Sequence, residues 1–241
     1  TAACGPVIYR GNNFPKVYQG NSFVCEPSGN FIRRNVHIEN SGNIIAENAE
    51  KESEWMSSSD ERFRPVNLYN GPSGGLYIVD MYRGIVQHRI YLTSYLRNQA
   101  ESRGLEKDID NGRIYRVVYK GNSSSTQNLA KANSKQLISA LSNDNGWVRD
   151  TAQRLIVESK DDINLELAKV AKDGNHALGR MHALWSLEGR AAISPDIILD
   201  TLKDSDRGVR MSAARLAEPW LKVPGNDAIL DQLVLNTRTD D

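Results

Sequence analysis

The chain has 241 residues, and its 30 Lys and Arg balance its 30 Asp and Glu, so the formal net charge at pH 7 is zero. This balance argues against a nucleic-acid-binding surface and against an acidic solvating tail. No apolar run approaches the ~20 residues that a membrane span requires. The first residues lack the basic and apolar regions of a secretion signal. We therefore expect a soluble protein with one or two ordinary cores, whose first residue is an internal point of a longer precursor.

A switch in composition marks the domain boundary. All nine Tyr and all four Phe lie at or before Tyr119, whereas sixteen of the twenty-one Leu follow Gly121. Between them lies a polar stretch rich in Ser and Asn, of the kind that does not pack and usually links domains. The sequence predicts a first domain over residues 1–120, a linker over 121–130 and a second domain over 131–241.

The first domain has the pattern of β-structure. A dense turn signal at residues 70–75 runs into a β-branched and aromatic stretch at 76–82. Residues 112–119 alternate as a half-buried strand does, and strands at 22–25 and 31–34 flank a Pro/Gly turn. One exception is a short helix predicted over 93–103. Several short strands between Gly/Pro turns suggest a sandwich, a barrel or part of a propeller.

The second domain is built from a helical repeat. An Arg three residues before an Ala recurs at intervals of 31 and 30, and two apolar positions of the preceding helices recur with the same period. One period shared by independent positions indicates stacked units of two helices, each burying its apolar face against its neighbours. The recurring positions are Arg149, Arg180 and Arg210; Leu137, Leu167 and Ile198; and Leu141, Ala171 and Leu202.

The repeat resembles a known family. The pattern Asp-x-x-x-Val-Arg-x-x-Ala-x-x-Leu, which runs from Asp144 to Leu155, resembles the HEAT repeat, and the resemblance covers roughly residues 130–223. The middle unit departs from it, with Gly179 in place of Val. The resemblance implies an α-solenoid in which each repeated Arg pairs with a turn Asp of a neighbouring unit. It therefore implies structural roles for these arginines.

Residues 1–119 carry a second resemblance. Four segments, at residues 1–11, 20–27, 63–67 and 75–84, together look like the closing segment of bacterial membrane-bound dehydrogenase propellers, which are similar to soluble quinoprotein sugar dehydrogenases. In that family HEAT repeats and often a class I cytochrome c domain follow the propeller. A six-bladed propeller needs several hundred residues, so this chain would supply only the last blades, and the remaining blades would lie upstream or in another chain.

The resemblance implies a multidomain β and α protein, a partial β-propeller followed by HEAT-like repeats. Its implied function is an exported, periplasmic or extracellular bacterial oxidoreductase that uses PQQ and Ca²⁺ to oxidise a sugar or alcohol hydroxyl. Electrons would pass to a cytochrome c-type partner, and this chain alone would be inactive. No Cys-x-x-Cys-His occurs, so haem c is not carried here.

A non-catalytic reading is the alternative. A propeller end and a HEAT stack can bind protein or carbohydrate without any reaction. Trp147 and Trp185, on successive second helices, are then either core residues or interface anchors.

Candidate site residues are the polar groups of the β part. Arg64 and Arg83 offer planar forks that suit quinone carboxylates, and Asp80 would orient a fork or hold Ca²⁺. His88 is the candidate catalytic base, because a neutral imidazole is available near pH 7. The alternative is structural: Asp80 caps a turn and an Arg pairs with it. The predicted cofactor-binding set is Arg10, Arg64, Asn67, Asp80, Tyr82 and Arg83, with no metal cluster from His or Cys.

The two cysteines, Cys4 and Cys25, are twenty-one residues apart. A disulfide between them would contribute ~3 kcal/mol in the chain-entropy model and would suit an exported protein. Two buried thiols, or metal ligation, are the alternatives.

Overall fold

The computed structural model describes residues 2–40, 43–86, 88–107, 109–122 and 126–239. The chain divides into two units, Thr1–Ser125 and Thr126–Asp241. Within the described residues, unit 1 contains eight strands and one α-helix, and unit 2 contains helices only. The protein is therefore a mixed β and α protein, with its strands in the first half of the chain.

Five strands of unit 1 form one antiparallel sheet. Its order follows the chain, from β1 (Cys4–Ile8) through β2 (Ser22–Glu26) and β3 (Phe31–Asn40) to β4 (Asn43–Asn48). A short strand, β5 (Met56–Ser57), pairs with the first two residues of β3. The outer strand β4 is exposed along its whole length.

Three further strands form a second antiparallel sheet with the middle strand β7 at its centre. This sheet contains β6 (Pro65–Asn70), β7 (Leu76–Asp80) and β8 (Arg113–Val117). Helix α1 (Ser94–Ser102) lies between β7 and β8, within the range predicted as a short helix, and the hydroxyl of Thr93 caps it. Strand β8 lies where the alternation predicts a strand, but it is an edge strand that is largely exposed rather than half-buried.

The core of unit 1 is aromatic and aliphatic, and both sheets contribute to it. In β7, Leu76 and Ile78 are fully buried while Tyr77 and Val79 are only partly buried, which is the period of two expected of a strand with one face on the core. Phe23 and Cys25 of β2 alternate in the same way. The full set is Tyr9, Phe14, Phe23, Cys25, Ile32, Phe63, Leu68, Leu76 and Ile78.

Unit 2 consists of three helix pairs and a final helix. The bounds are α2 (Ser134–Ala140), α3 (Gly146–Glu158), α4 (Asn164–Asp173), α5 (Ala177–Gly189), α6 (Pro195–Thr201), α7 (Arg207–Ala217) and α8 (Asp227–Thr239). Within each pair the two helices pack together. In addition, the second helices α3, α5 and α7 pack in succession, and so do α4, α6 and α8. The helices are therefore arranged in two layers.

The recurring positions of the sequence occupy equivalent places in this core. Leu141, Ala171 and Leu202 are fully buried, and so are Ala152, Ala183 and Ala213 of the second helices. Side-chain oxygens of Asn133, Asn145, Ser194 and Asp206 cap α2, α3, α6 and α7, which explains why polar residues precede each apolar stretch. None of the helices in the described part of the chain combines the length and apolar character that a membrane crossing needs.

The segment predicted as a linker is partly packed. Asn122 donates hydrogen bonds from its amide to the carbonyls of Asn12 and Asn13 in unit 1. At the other end, Leu129 is buried in the core of unit 2. Residues 123–125 lie outside the described residues. The expectation that the polar stretch does not pack is therefore wrong at Asn122, and the predicted linker also packs at its end, at Leu129.

Candidate functional site

Asp80, the last residue of β7, is the centre of the predicted site, and its side chain is fully buried. One carboxylate oxygen accepts hydrogen bonds from the backbone N–H of Arg64, at 2.7 Å, and of Tyr82, at 2.9 Å. The other accepts from Nε of Arg113 at 3.3 Å. The carboxylate thus provides an acceptor for backbone N–H groups that would otherwise be unpaired where the chain leaves the strand. One of them belongs to Tyr82, whose φ is +49°. Asp80 therefore fixes the turn after β7.

Arg64 lies beside Asp80, but its guanidinium contacts backbone carbonyls. Nε donates to the carbonyl of Arg83 at 2.9 Å, Nη1 to that of Pro27 at 2.6 Å, and Nη2 to that of Gly84 at 2.7 Å. Burial lowers the pKa of the guanidinium, and the nearby charges of Glu61 and Asp80 oppose that shift. All three nitrogens are thus engaged in joining the β2–β3 turn to the loop after β7.

Tyr82 belongs to a third contact group at the same end of β7. The guanidinium carbon of Arg113 lies 3.4 Å from the centroid of its ring, a cation–π arrangement. A hydrogen bond to Asp60 raises the pKa of the Tyr82 phenol. The same Asp60 carboxylate lies 3.7 Å from Nη2 of Arg113. Asp60 and Arg113 were not among the predicted site residues, because both lie in stretches that carry no motif.

Arg10 and Asn67 lie elsewhere, where β1 approaches β6. The backbone N–H of Arg10 donates to the side chain of Asn70 at 2.9 Å, and Asn70 donates in turn to the carbonyl of Ile8 at 2.8 Å. Asn67 accepts from the backbone N–H of Leu68 and donates to the hydroxyl of Tyr69, both at 2.9 Å. The side chain of Asn70 therefore joins the two sheets, whereas the contacts of Asn67 are local to β6.

Arg83 and His88 lie on the loop that follows β7, and both are exposed. The imidazole of His88 meets the ring of Tyr91 edge to face, with 6.1 Å between centroids. Within the described residues no partner is found for the Arg83 guanidinium. The structure therefore brings Arg64, Asp80 and Tyr82 into direct contact, separates Arg10 and Asn67 from them, and leaves Arg83 and His88 facing solvent.

The described residues contain no group of three or more His, Cys, Asp or Glu side chains arranged to hold a metal ion. Cys4 and Cys25 carry free thiols, and the register of β1 on β2 places them directly opposite each other. Burial, and then the neighbouring Cys4, raise the pKa of Cys25 to about 12. The predicted disulfide thus stays a prediction, with the two residues on paired strands.

In unit 2 the repeated arginines bind the turn of their own helix pair. Arg149 donates to the carbonyl of Asn143 at 2.5 Å, Arg180 to that of Gly174 at 2.7 Å, and Arg210 to that of Asp204 at 2.8 Å. Each acceptor lies six residues before its Arg. The side chains hold the carbonyls that the turn leaves unpaired, which is a structural role.

A pairing with the next unit, as the HEAT resemblance implies, is found for Arg180 and Asp204. Arg149 has Gly174 at the corresponding position of the next unit, and it donates instead to Nε2 of His182 at 3.3 Å. His182 is buried, and its Nδ1 lies 2.6 Å from Oε1 of Gln153.

A groove of about 500 Å³ lies between α3 and α5. Sequence reasoning left open whether Trp185 is a core residue or an interface anchor, and the structure shows a half-buried side chain that packs on the core and also lines this groove. The groove residues are Asp150, Gln153, Arg154, Val157, Glu158, Trp185, Glu188 and Gly189.

One protein family, a domain of unknown function (DUF7133), matches residues 1–121, which is half of the chain. The chain belongs to this family. Neither a curated protein nor a solved structure matches it significantly.

Proposed function

We propose that this chain is a binding scaffold, in which unit 1 forms the last blades of a β-propeller and unit 2 a HEAT-like α-solenoid. Two things support the solenoid of unit 2: the recurrence of buried positions every 30 or 31 residues, and the side-by-side packing of successive helices. The function follows from what such a stack offers, namely a long surface built from equivalent helices.

The observation that carries this proposal is the outer surface of the second helices. Exposed side chains recur on it one turn apart, at Asp150, Arg154 and Glu158 on α3 and at Met211 and Arg215 on α7. Met211 is 60% exposed although it is a large apolar residue. A surface that combines exposed apolar and charged groups is suited to protein contact.

The polar residues of unit 1 support the same conclusion. The side-chain contacts of Arg64 and Asp80 are made with backbone groups and with Arg113. These contacts hold turns together, so these two residues do not fit as ligands of PQQ or Ca²⁺.

Site-specific photocrosslinking tests the scaffold proposal. A photoreactive residue at Met211 on α7 is compared with one at Leu165 on α4, which is apolar, 85% exposed and in the other helix layer. We expect crosslinks to a defined partner in an extract of the producing cells from position 211 and not from 165. Equal or absent crosslinking at the two positions would overturn the proposal.

We propose as a second candidate that the intact protein is an exported quinoprotein-like oxidoreductase of sugar or alcohol hydroxyls, with a cytochrome c-type partner. One observation favours it: Arg83 is exposed on the same loop as His88, and its fork has no partner among the described residues. Among the predicted cofactor ligands, Arg83 is therefore the best candidate to bind a carboxylate of the quinone.

Quinone binding and dye-linked oxidation by the full-length protein with added PQQ and Ca²⁺ test this candidate. If it holds, Arg83→Ala lowers quinone affinity while the fold is retained, and Arg64→Ala destabilises unit 1 instead. A full-length protein without quinone affinity, or an Arg83→Ala variant with unchanged affinity, leaves the scaffold as the better function.

A further inference from the structure

We propose that unit 1 binds an extended peptide segment of a partner protein between β5 and β8, as an added strand that pairs with the free edges of both sheets. The segment carries a carboxylate with an apolar residue on each side of it. Every residue that forms this site lies in unit 1, so the site is separate from the helical surface proposed above for unit 2.

The groove between β5 and β8 is lined by consecutive residues of both strand edges. Residues 56–58 lie on one side of it and residues 115–118 on the other, and its volume is about 390 Å³. The two buried residues of the lining, Phe63 and Ile78, make its interior apolar. A volume of this size lies in the range of sites that enclose small ligands, so the groove has room for a few residues of a peptide.

Backbone groups of β8 face this groove. The N–H of Gly71 donates to the carbonyl of Gly75 at 3.0 Å, so Gly75 and the odd-numbered residues of β7 direct their backbone groups towards β6. The even-numbered residues of β7 therefore bond to β8, where the register pairs them with odd-numbered residues. Among the described strands β8 pairs only with β7. The N–H and C=O of Arg116, an even-numbered residue, consequently point to the free edge.

The opposite wall also presents unpaired backbone groups. The N–H of Ser58 donates to the carbonyl of Asn30 at 3.0 Å, on the side of β3. Because backbone groups alternate in direction along an antiparallel strand, the N–H and C=O of Ser57 point away from β3. No backbone partner is found for them in the part of the chain that the structure describes. Both walls therefore offer donors and acceptors to one occupant.

These walls favour a polypeptide over a small molecule as the occupant. Exposed strand edges bind extended peptides through main-chain hydrogen bonds, and pockets for alternate side chains provide the specificity. A peptide backbone has donors and acceptors on both of its sides, at the spacing of the strands that it joins. An added strand would thus satisfy the edges of β5 and β8 together.

The charge of the groove indicates an acidic residue in the segment. Arg116 is the one charged residue of the lining. Its guanidinium is exposed, and neither an ion pair nor a hydrogen bond is found for it within the described ranges. Opposite charges that face each other across two strands stabilise the pairing, and like charges weaken it. A carboxylate opposite Arg116 would therefore complement the groove.

The two faces of β8 determine the neighbours of that carboxylate. The ring of Tyr115 meets that of Phe63 edge to face, with 6.1 Å between centroids, and Val117 packs on the core of unit 1. Arg116 lies between them in the sequence, so its side chain projects from the other face of the strand. A residue opposite Arg116 would share that face, and the residues before and after it would face the apolar interior. We therefore expect a segment in which the order is apolar, acidic, apolar.

Calorimetric titration of the full chain with synthetic peptides tests the inference. The probe is an acetylated, amidated Ser-Thr-Val-Glu-Val-Thr-Ser peptide. One control has Lys in place of Glu, and we expect it to bind about fivefold more weakly, because it places like charges opposite each other. A second control carries N-methylated Glu, which keeps the charge but lacks the backbone donor that would pair with Arg116. We expect it to bind about tenfold more weakly.

Charge reversal locates the site. Arg116→Glu should weaken binding of the Glu peptide about fivefold and strengthen binding of the Lys peptide by a similar factor. Lys51→Glu is the matched control, because Lys51 is exposed in unit 1, lies outside the groove and changes the net charge equally. At physiological ionic strength, where distant charges are screened, this variant should bind both peptides with unchanged affinity. Circular dichroism confirms that each variant is folded.

Absence of binding of the Glu peptide overturns the inference, and so does an equal response of Arg116→Glu and Lys51→Glu. Equal affinity for the parent and the N-methylated peptide also overturns it, because no strand is then added at the edge of β8. Crosslinking from Met211 reports on unit 2 alone. A defined partner captured there would leave the scaffold proposal standing when the peptide site of unit 1 fails.

Discussion

Arg180 and Asp204 form a two-pronged ion pair that joins neighbouring helix pairs of unit 2. Nε of Arg180 lies 2.6 Å from one carboxylate oxygen, and Nη2 lies 2.7 Å from the other. The third nitrogen, Nη1, donates to the carbonyl of Gly174 in the arginine's own turn. The side chains are only 12% and 6% exposed. One guanidinium therefore connects two successive turns through fixed, largely buried hydrogen bonds.

Arg180→Ala is expected to lower the free energy of unfolding by about 3 kcal/mol, because it leaves the Asp204 carboxylate buried without its partner. Arg154→Ala is the matched control. Its ion pair with Glu158 is 60% and 57% exposed, so the loss should stay below about 0.5 kcal/mol. Urea unfolding of both variants measures the difference, and similar losses would contradict the structural role of Arg180.

Arg149→Ala and Arg210→Ala should also destabilise unit 2, since each removes the donor to two turn carbonyls. We expect the larger effect for Arg149, which is only 4% exposed. Ligand binding by unit 1 should be unaffected in both. A variant that kept its full thermal stability but lost such binding would show that the arginine contacts a ligand.

Acidification should weaken unit 2 through Asp204. Burial alone would raise the pKa of this carboxyl, but hydrogen bonds from Arg180 and from the backbone N–H of Asp206 outweigh it and lower the pKa below its ordinary value of 3.8. As pH falls below about 4, the unfolded chain takes up the proton first, so stability decreases towards the lower folded pKa. The Asp204→Asn variant should be less stable at neutral pH, and its free energy of unfolding should depend less on pH. Unfolding measured from pH 6 downwards tests both expectations. An unchanged slope would exclude Asp204 as its source.

Cys4 and Cys25 should form a disulfide when the protein is treated with a thiol oxidant such as diamide. Paired antiparallel residues have Cα atoms about 4.5–5.5 Å apart, within the range that a disulfide spans. The oxidant removes one hydrogen from each thiol, so intact mass falls by about two mass units and both thiols resist alkylation after unfolding. Cys4→Ser should abolish the mass change. Oxidation only between chains would contradict the register.

In the reduced protein, alkaline pH should lower stability. The pKa of Cys25 is raised to about 12 from an ordinary value of 9.0, so above pH 9 the unfolded chain releases the proton while the folded one keeps it. Stability therefore decreases between these two values. Cys25→Ala provides the comparison in thermal unfolding at pH 8 and pH 10, and an identical loss in this variant would assign the effect to other groups.

Gly11→Ala should destabilise unit 1 by about 2 kcal/mol. A Cβ at this position would lie 2.1 Å from the carbonyl oxygen of Gly74, and a backbone atom cannot rotate away. Gly112→Ala is the control, because its nearest neighbours would be 3.7 Å from the added atom. Its stability should change by no more than about 0.5 kcal/mol. Similar melting temperatures for the two variants would show that the Gly11 loop can shift.

Local chemistry made much of the fold predictable. The period of 30 or 31 residues identified positions that are buried in unit 2, and the Pro/Gly turn before Leu76 marked the start of β7. The departure at Gly179 was visible in the sequence but its reason was not. A Cβ there would lie 2.1 Å from the hydroxyl oxygen of Ser142, a residue 37 positions earlier. Such contacts depend on how the helices pack and leave no local signal.

The candidate site was predicted less well than the fold. Arg64 and Arg83 were singled out because their guanidinium groups suit an anionic cofactor, and Asp80 because it would orient an Arg or hold Ca²⁺. The same side chains also suit backbone groups, since guanidinium N–H groups donate to carbonyls and a carboxylate accepts from backbone N–H groups. Sequence cannot tell which acceptor an Arg meets, because the acceptors of Arg64 come from residues 27 and 84 on different loops. The exposure of β8 was equally hidden, since alternation does not distinguish a central strand from an edge strand.

The amide contacts of Asn122 bear on where the first half of the chain can be cut. Its side chain holds the carbonyls of Asn12 and Asn13, and its own carbonyl accepts from the amide of Asn13. The family match stops one residue earlier, at residue 121. An excised piece that ended there would lack the residue that closes its last strand onto its first loop. A fragment designed to express this half alone should therefore end no earlier than residue 122, so that the hydrogen bonds between Asn122 and residues 12 and 13 are kept.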